Sequence, residues 1–275
     1  MRFFKLAWQA FANLFNDGGF SMAGAVAFSL VLAIFPFFMF VSAMAGFLGG
    51  PDLAAIATEQ TFQLLPKEVA RYLVPQIEAV LGQDRYDLLT VGGLVTLFFA
   101  SNGIESLRWA LNTSYEDNDE RSFFWLRLQS TGFVIMTALV LLFLSYTVLI
   151  APLVANSFGA KLSVLLPGAL LSEWLRIFMG LIILVALLFA FHAWLPGRQR
   201  SFNELWPGIG LTIILWGLGA YGYSYYLGYS QYGAIYAGLS QIVITMIFFY
   251  ISAAILIFGA EYNHVRMQQD GTGGN

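Results

Sequence analysis

The run "IVITMIFFYISAAILIFGA", residues 242–260, carries no charged side chain, and its reading decides the fold class. It is close to the roughly 20 apolar residues that a helix needs to cross a bilayer core. One such run would suit the buried helix of a large soluble domain, but here the pattern recurs in five or six segments along the chain. Of the 275 residues, 59% are hydrophobic and 11% are charged, against roughly 25% charged in soluble domains. The chain is therefore expected to be all-α: a polytopic membrane protein with about six transmembrane helices.

The quoted run is the core of the sixth expected span, about 234–262. The others are placed at about 20–48, 88–110, 125–152, 172–194 and 205–228. Ahead of the first span, "RFFKLAWQAFANLFND" (2–17) puts Phe4, Trp8, Phe11 and Phe15 on one helical face and Lys5, Gln9, Asn13 and Asn16 on another, the pattern of a helix lying flat at the interface. Asp17-Gly18-Gly19 breaks it. Pro36 should kink the first span by removing one backbone hydrogen bond. Residues 51–87 mix charge with helically spaced apolar positions, which predicts a small external helical subdomain. The resulting division is an interfacial helix (1–17), a six-span domain (18–264) with the 51–87 insertion, and a disordered tail (265–275).

Charge and composition exclude several chemistries. There is no cysteine, so disulfides, thiolate metal sites and thiol catalysis are absent. A net charge of −3 argues against a nucleic-acid partner. The 20–48 run is too long for a signal-peptide core and reads as an uncleaved span. Arg2, Lys5, Arg108, Arg121, Arg127, Arg198, Arg200 and Arg266 fall on one side of the expected spans, and Lys67, Arg71, Arg85, Lys161 and Arg176 on the other. Both termini are then expected on the cytoplasmic side.

Polar residues inside such a chain are the candidates for function. In "FFASNGIESLRWALN" (98–112), Asn102, Glu105, Arg108 and Asn112 share one broad helical face. A charge at the bilayer centre costs about 2.5–3.5 kcal/mol, and such residues usually face a bundle interior or a wet cavity. One reading makes this stripe a cavity wall, with Arg108 as counter-ion for an anionic group and Glu105 as its resting partner. The other makes Glu105 and Arg108 an ordinary i,i+3 pair in the headgroup layer. Glu173 and Arg176 repeat the spacing, where the interfacial reading is preferred. Gln241, Thr245, Ser252, Gly259 and Asn263 form a second stripe, read first as helix-packing contacts. Gly208, Gly210, Gly217, Gly219 and Gly222 suggest close helix approach, and "YSQYGAIYAG" (229–238), with Gln231, a re-entrant or tight turn lining a cavity. His192 and His264 are too few and too far apart to argue a metal site. Neither a phosphate-binding loop nor a nucleophile motif is present.

The order of "AGAVAFSLVLAIFPFFM", "LRWALNTSY", "LPGRQRSFNELWPG" and "YGAIYAGLSQIVITMIFFYISAAILIFGAEYN" resembles the YihY/BrkB family of bacterial inner-membrane proteins over nearly the whole chain. The resemblance implies a six-span protein of a group long carried under a mistaken ribonuclease label and linked to virulence, envelope lipids or export of small metabolites. It carries no agreed catalytic residues. Matching motif positions are Pro36, Asn112, Pro196, Pro207, Gly208, Tyr232, Gly233, Gly259 and Glu261. Among them Pro36, Tyr232, Gly233, Gly259 and Glu261 are taken as structural or gating positions.

The expected function is export or transport of a small anionic or amphiphilic solute, without ATP hydrolysis by this chain and without a cofactor. The candidate cavity residues are Asn102, Glu105, Arg108, Asn112, Gln231 and Gln241. A lipid flippase or scramblase and a non-transporting envelope scaffold are the alternatives. An RNA-cleaving enzyme is rejected for want of metal-ligand clusters and a basic surface. The expected partners are membrane lipids and a small-molecule or lipid substrate, with no nucleic acid. The sequence allows a homo-oligomer.

Overall fold

The computed structural model describes residues 2–33, 86–145, 173–229 and 239–271. Among them lie seven helices: α1 Arg2–Asn16, α2 Gly19–Ala33, α3 Tyr86–Ser114, α4 Phe123–Ser145, α5 Glu173–Trp194, α6 Phe202–Tyr229 and α7 Leu239–Asp270. The described residues contain no strand. Four helices, α4 to α7, are long and apolar enough to cross a membrane, and α1 with α2 makes a fifth if the bent pair is one span. The expected second span is α3, whose 29 residues reach about 43 Å at 1.5 Å per residue. The chain is thus a polytopic helical membrane protein. Pro36, Gln231, Tyr232, Gly233 and the 51–87 insertion lie outside the described residues, apart from Tyr86 and Asp87, which begin α3.

Apolar residues cover the outside as well as the inside. Leu94, Phe98, Leu139, Ile177, Phe178, Ile214, Leu218 and Val243 are exposed, as suits helices whose solvent is lipid and whose mutual packing depends on close fit. The shared core gathers Met22, Ala23 and Val26 of α2 with Leu107, Ala110 and Leu111 of α3, Leu188 and Phe191 of α5, Leu205 and Ile209 of α6, and Ile257 and Ala260 of α7. The ends of α3, α5 and α7 and the starts of α4 and α6 meet at one end of the bundle.

The break between α1 and α2 is sharp, at 68°. Gly18 takes a φ of +73° there, a left-handed conformation that costs little only without a Cβ. Leu6, Ala10 and Leu14 of α1 are buried, with Leu6 and Ala10 against Tyr262 and Val265 of α7. Its aromatic residues stay outside: Phe4, Trp8 and Phe15 are exposed, and Phe11 and Phe15 meet Phe20 at the start of α2.

This packing corrects the expected disorder from residue 265. Helix α7 continues to Asp270 because α1 gives its last turns partners, Arg2 to Asp270 and Gln9 to Gln269. Gly271, at a φ of +70°, then ends it as a left-handed cap.

Helix α6 shows how local sequence places a later contact. Glu204 reaches back to Ser201 at the helix N-terminus, the carboxylate half of a capping box, with the Ser201 N–H and hydroxyl donating to Glu204 Oε2 at 2.7 and 2.8 Å. Pro207 has no N–H for Asn203 O, one turn earlier. Arg266 of α7 donates to that freed carbonyl at 3.2 Å.

Candidate functional site

The polar stripe of α3 is intact, but its partners come from α4 and the connecting loops. Arg127 of α4 donates to Asn102 Oδ1 at 2.7 Å and pairs with Glu105 at 3.0 Å, its guanidinium 4.9 Å from the Phe98 ring. Glu105 is therefore the partner of Arg127, where the i,i+3 spacing suggested Arg108. A side chain on the neighbouring helix reaches it more directly than one along its own. Asn112 donates to Asp119 Oδ2 at 3.2 Å and accepts from the Gly197 N–H at 2.8 Å, joining the end of α3 to the α3–α4 and α5–α6 loops.

Arg108 is buried, and its Nη1 donates to Leu126 O at 3.0 Å and Ser130 Oγ at 2.8 Å. Both acceptors are neutral. Among the described residues no carboxylate lies within ion-pair distance of it. Around it Arg127 is matched by Glu105 and Arg121 by Asp119, so this cluster of three guanidinium groups and two carboxylates keeps one positive charge.

Beside the stripe lies a polar junction that no local spacing announces. Helix α3 ends with Asp117 N–H donating to Asn112 O at 2.8 Å and Glu116 N–H to Thr113 O at 3.1 Å, the two bonds of a Schellman cap. The left-handed position is Glu116, with a φ of 54°, an uncommon conformation for a residue with a Cβ. The turn directs Asp117 to Arg200, which grips it with two bonds of 2.7 Å and lies 3.9 Å from the Tyr115 ring centre. Tyr115 Oη shares a hydrogen bond of 2.8 Å with His192 Nδ1 and accepts from Asn263 Nδ2 at 3.4 Å. Asn263 also bonds both sides of α6, accepting from Gly208 N–H at 2.7 Å and donating to Leu205 O at 3.0 Å. Burial pushes the Tyr115 phenol above its ordinary value, which keeps it neutral. Asp119 is held below the usual carboxylate range, chiefly by Arg121, which donates to it at 2.7 and 2.6 Å.

At Gly208 and Gly259 the backbones of α6 and α7 pack closely together. A Cβ on Gly208 would stand 2.1 Å from Gly259 O, and one on Gly259 would stand 2.2 Å from Thr212 Oγ1. A Cβ added to Gly210, Gly217 or Gly222 would have no atom of a neighbour within 4 Å, and one on Gly219 would meet Ile255 at an ordinary 3.5 Å. Close approach on α6 thus belongs to Gly208. Gln241 lies near the start of α7, but its side chain is outside the described residues.

A few buried polar atoms remain without a hydrogen-bond partner, among them Ser114 Oγ, His192 Nε2, Thr212 Oγ1 and Glu261 Oε2. Among the described residues, no group of three or more His, Asp or Glu is placed to hold a metal ion. Spacing alone does not single out Tyr115, His192, Arg200 or Arg127, and it places Asn263 only in a stripe read as helix packing. Tyr115, Arg200 and Asn263 do lie inside the stretches "LRWALNTSY", "LPGRQRSFNELWPG" and "FGAEYN", and the structure brings those three stretches together.

The family model described as virulence factor BrkB matches residues 10–274. A ribonuclease-like protein of Bacillus subtilis (strain 168), YfkH, is 25% identical over 264 residues, covering 93% of this chain and 92% of its own. No solved structure matches. With nearly its whole length matched, the chain belongs to the virulence factor BrkB family.

Proposed function

We propose that this protein moves a small anionic or amphiphilic solute out across the bacterial inner membrane and hydrolyses no ATP itself. The observation that carries the reading is Arg108, a buried guanidinium bonded to Leu126 O and Ser130 Oγ, with no carboxylate in ion-pair distance among the described residues. Burial of an uncompensated charge is costly, and inside membrane helices such a group marks a path for a ligand or ion. An anionic group that reaches Arg108 supplies the missing charge. Asn102, Glu105 and Arg127 fix the α3–α4 wall beside it.

The guanidinium-rich end of the bundle, with Arg108, Arg121, Arg127 and Arg200, faces the cytoplasm in this reading, and both termini lie there. Because the chain has no cysteine, an Arg198→Cys variant should react with an impermeant thiol reagent only after the cell is opened. Labelling in intact cells would reverse the orientation.

Lipid handling is the second reading, favoured by the exposed aromatic face of α1: the same guanidinium would then hold a headgroup phosphate. Mass spectrometry of intracellular and extracellular solutes, in cells with and without the protein, tests export. Scrambling of labelled phospholipid in reconstituted vesicles tests the lipid reading. A protein that does neither is a scaffold. The name of YfkH refers to ribonuclease, but for this chain we propose no RNA cleavage. Metal-dependent cutting of RNA by the purified protein would overturn that.

A further inference from the structure

Glu261 stands apart from the clasped charges around it. It lies on α7 with an exposure of 1%, among α1, α3 and its own helix. Asn13 of α1 and Ser114 of α3 approach its carboxylate, yet Glu261 Oε2 and Ser114 Oγ both lack a partner at hydrogen-bonding geometry. Among the described residues no Lys, Arg or His forms an ion pair with it. The charges that act on it have its own sign: Asp17 at the α1–α2 break and Glu116 at the left-handed cap of α3. His264, three residues further along α7, is turned to Glu116 at 3.7 Å and Gln268 at 2.7 Å. Arg200 is held by Asp117.

An ionised carboxylate so placed pays the cost of desolvation with no cation to offset it and with two acidic neighbours adding to the cost. One small positive charge would resolve all of this at once. A proton on the carboxyl removes the uncompensated charge, and a sodium ion would take the carboxylate oxygens as ligands, since hard cations prefer oxygen.

We propose that Glu261, with Ser114 and Asn13, is a binding site for one small monovalent cation, a proton or Na⁺, at the junction of α1, α3 and α7. The site sits where the chain bends by 68° between α1 and α2, so loading and release act on the contact that holds α1 to α7. If the export reading is right, this is the site that couples export to an ion gradient. Its test does not depend on export.

Two measurements on the purified full-length protein separate the two cations. Infrared spectroscopy at neutral pH reads the C=O stretch of a protonated carboxyl, and thermal unfolding against NaCl, with choline chloride as the ionic-strength control, reads Na⁺ binding. A proton site gives a carboxyl band that is lost in Glu261→Gln and shifted in Ser114→Ala. A sodium site gives a melting temperature that rises with Na⁺ and not with choline, a response absent from Glu261→Gln and weakened in Ser114→Ala. Glutamine keeps the shape of the neutral carboxyl, and a helical circular dichroism spectrum establishes that the variant is folded. The proposal is overturned if wild type shows neither signal, or if the signal it shows survives in Glu261→Gln. A protein that binds the cation and exports nothing would sink the export reading and leave this site standing.

Discussion

Arg200 lies 3.9 Å from the centre of the Tyr115 ring while holding Asp117 through two 2.7 Å bonds. One guanidinium thus joins the α5–α6 loop to the end of α3 through a face and a fork. Lysine has no fork to offer the carboxylate and no plane to lay on the ring.

Both members of the Arg200–Asp117 pair are nearly buried, with side-chain exposures of 5% and 8%. Removing one member of a buried pair costs about 3–5 kcal/mol, because the other charge is left without a partner. Arg200→Ala should lose that much in denaturant unfolding of the purified protein, and Arg200→Lys should recover only part of it. Adding Asp117→Asn to Arg200→Ala should restore stability, since no orphan charge remains.

The α6–α7 crossing gives a prediction of opposite signs on one helix. Gly208→Ala places a Cβ 2.1 Å from Gly259 O, so the helices must separate, at the upper end of the roughly 1–3 kcal/mol seen for overpacking. Gly210→Ala and Gly217→Ala meet nothing within 4 Å and should be neutral or gain up to about 1 kcal/mol of helix propensity. Melting temperatures of the three variants check this. A harmless Gly208→Ala would show that α6 and α7 pack differently.

Asp119 makes the fold sensitive to acid. Arg121 holds its folded-state value below the usual carboxylate range, so its contribution is complete above the unfolded value of roughly 3.9 and is lost as pH falls through the lower folded value. A plot of melting temperature against pH should drop on that acid limb in wild type and be flatter there in Asp119→Asn.

The bridge between Glu105 and Arg127 is a quarter exposed at each end, 25% and 26%, so each removal should cost only roughly 0.5–1 kcal/mol. Glu105→Gln and Arg127→Gln should be non-additive, whereas Glu105→Gln and Ser130→Ala should add. A double-mutant cycle with the reverse pattern would return Glu105 to Arg108.

What the sequence makes legible follows from the range of each interaction. The spans, the break at Asp17-Gly18-Gly19 and the shared face of Asn102, Glu105, Arg108 and Asn112 depend on neighbours within a few turns, and each is visible in hydropathy or helical period. The partner of Glu105 is not, because Arg127 arrives from the next helix across a loop. Tyr115 and His192 stand alone in their own segments, Asn263 belongs to a stripe on α7, and only folding makes the three a group. Helix α7 outlasts its apolar pattern for the same reason: the support for residues 265–270 comes from α1, at the other end of the chain. Glycine on α6 shows the limit most plainly. Five positions look alike in the sequence, and only Gly208 faces the backbone of α7.

The most direct test of the account is the solute balance of cells carrying wild type, Arg108→Ala or no protein, by untargeted mass spectrometry, with each variant folded and at equal level in the membrane. Loss of the bond to Ser130 Oγ alone is reproduced by Ser130→Ala, which retains the positive charge and serves as the structural control. An anionic solute should leave cells with wild type or Ser130→Ala and stay inside with Arg108→Ala. Equal export by Arg108→Ala, or no solute that depends on the protein at all, would contradict this.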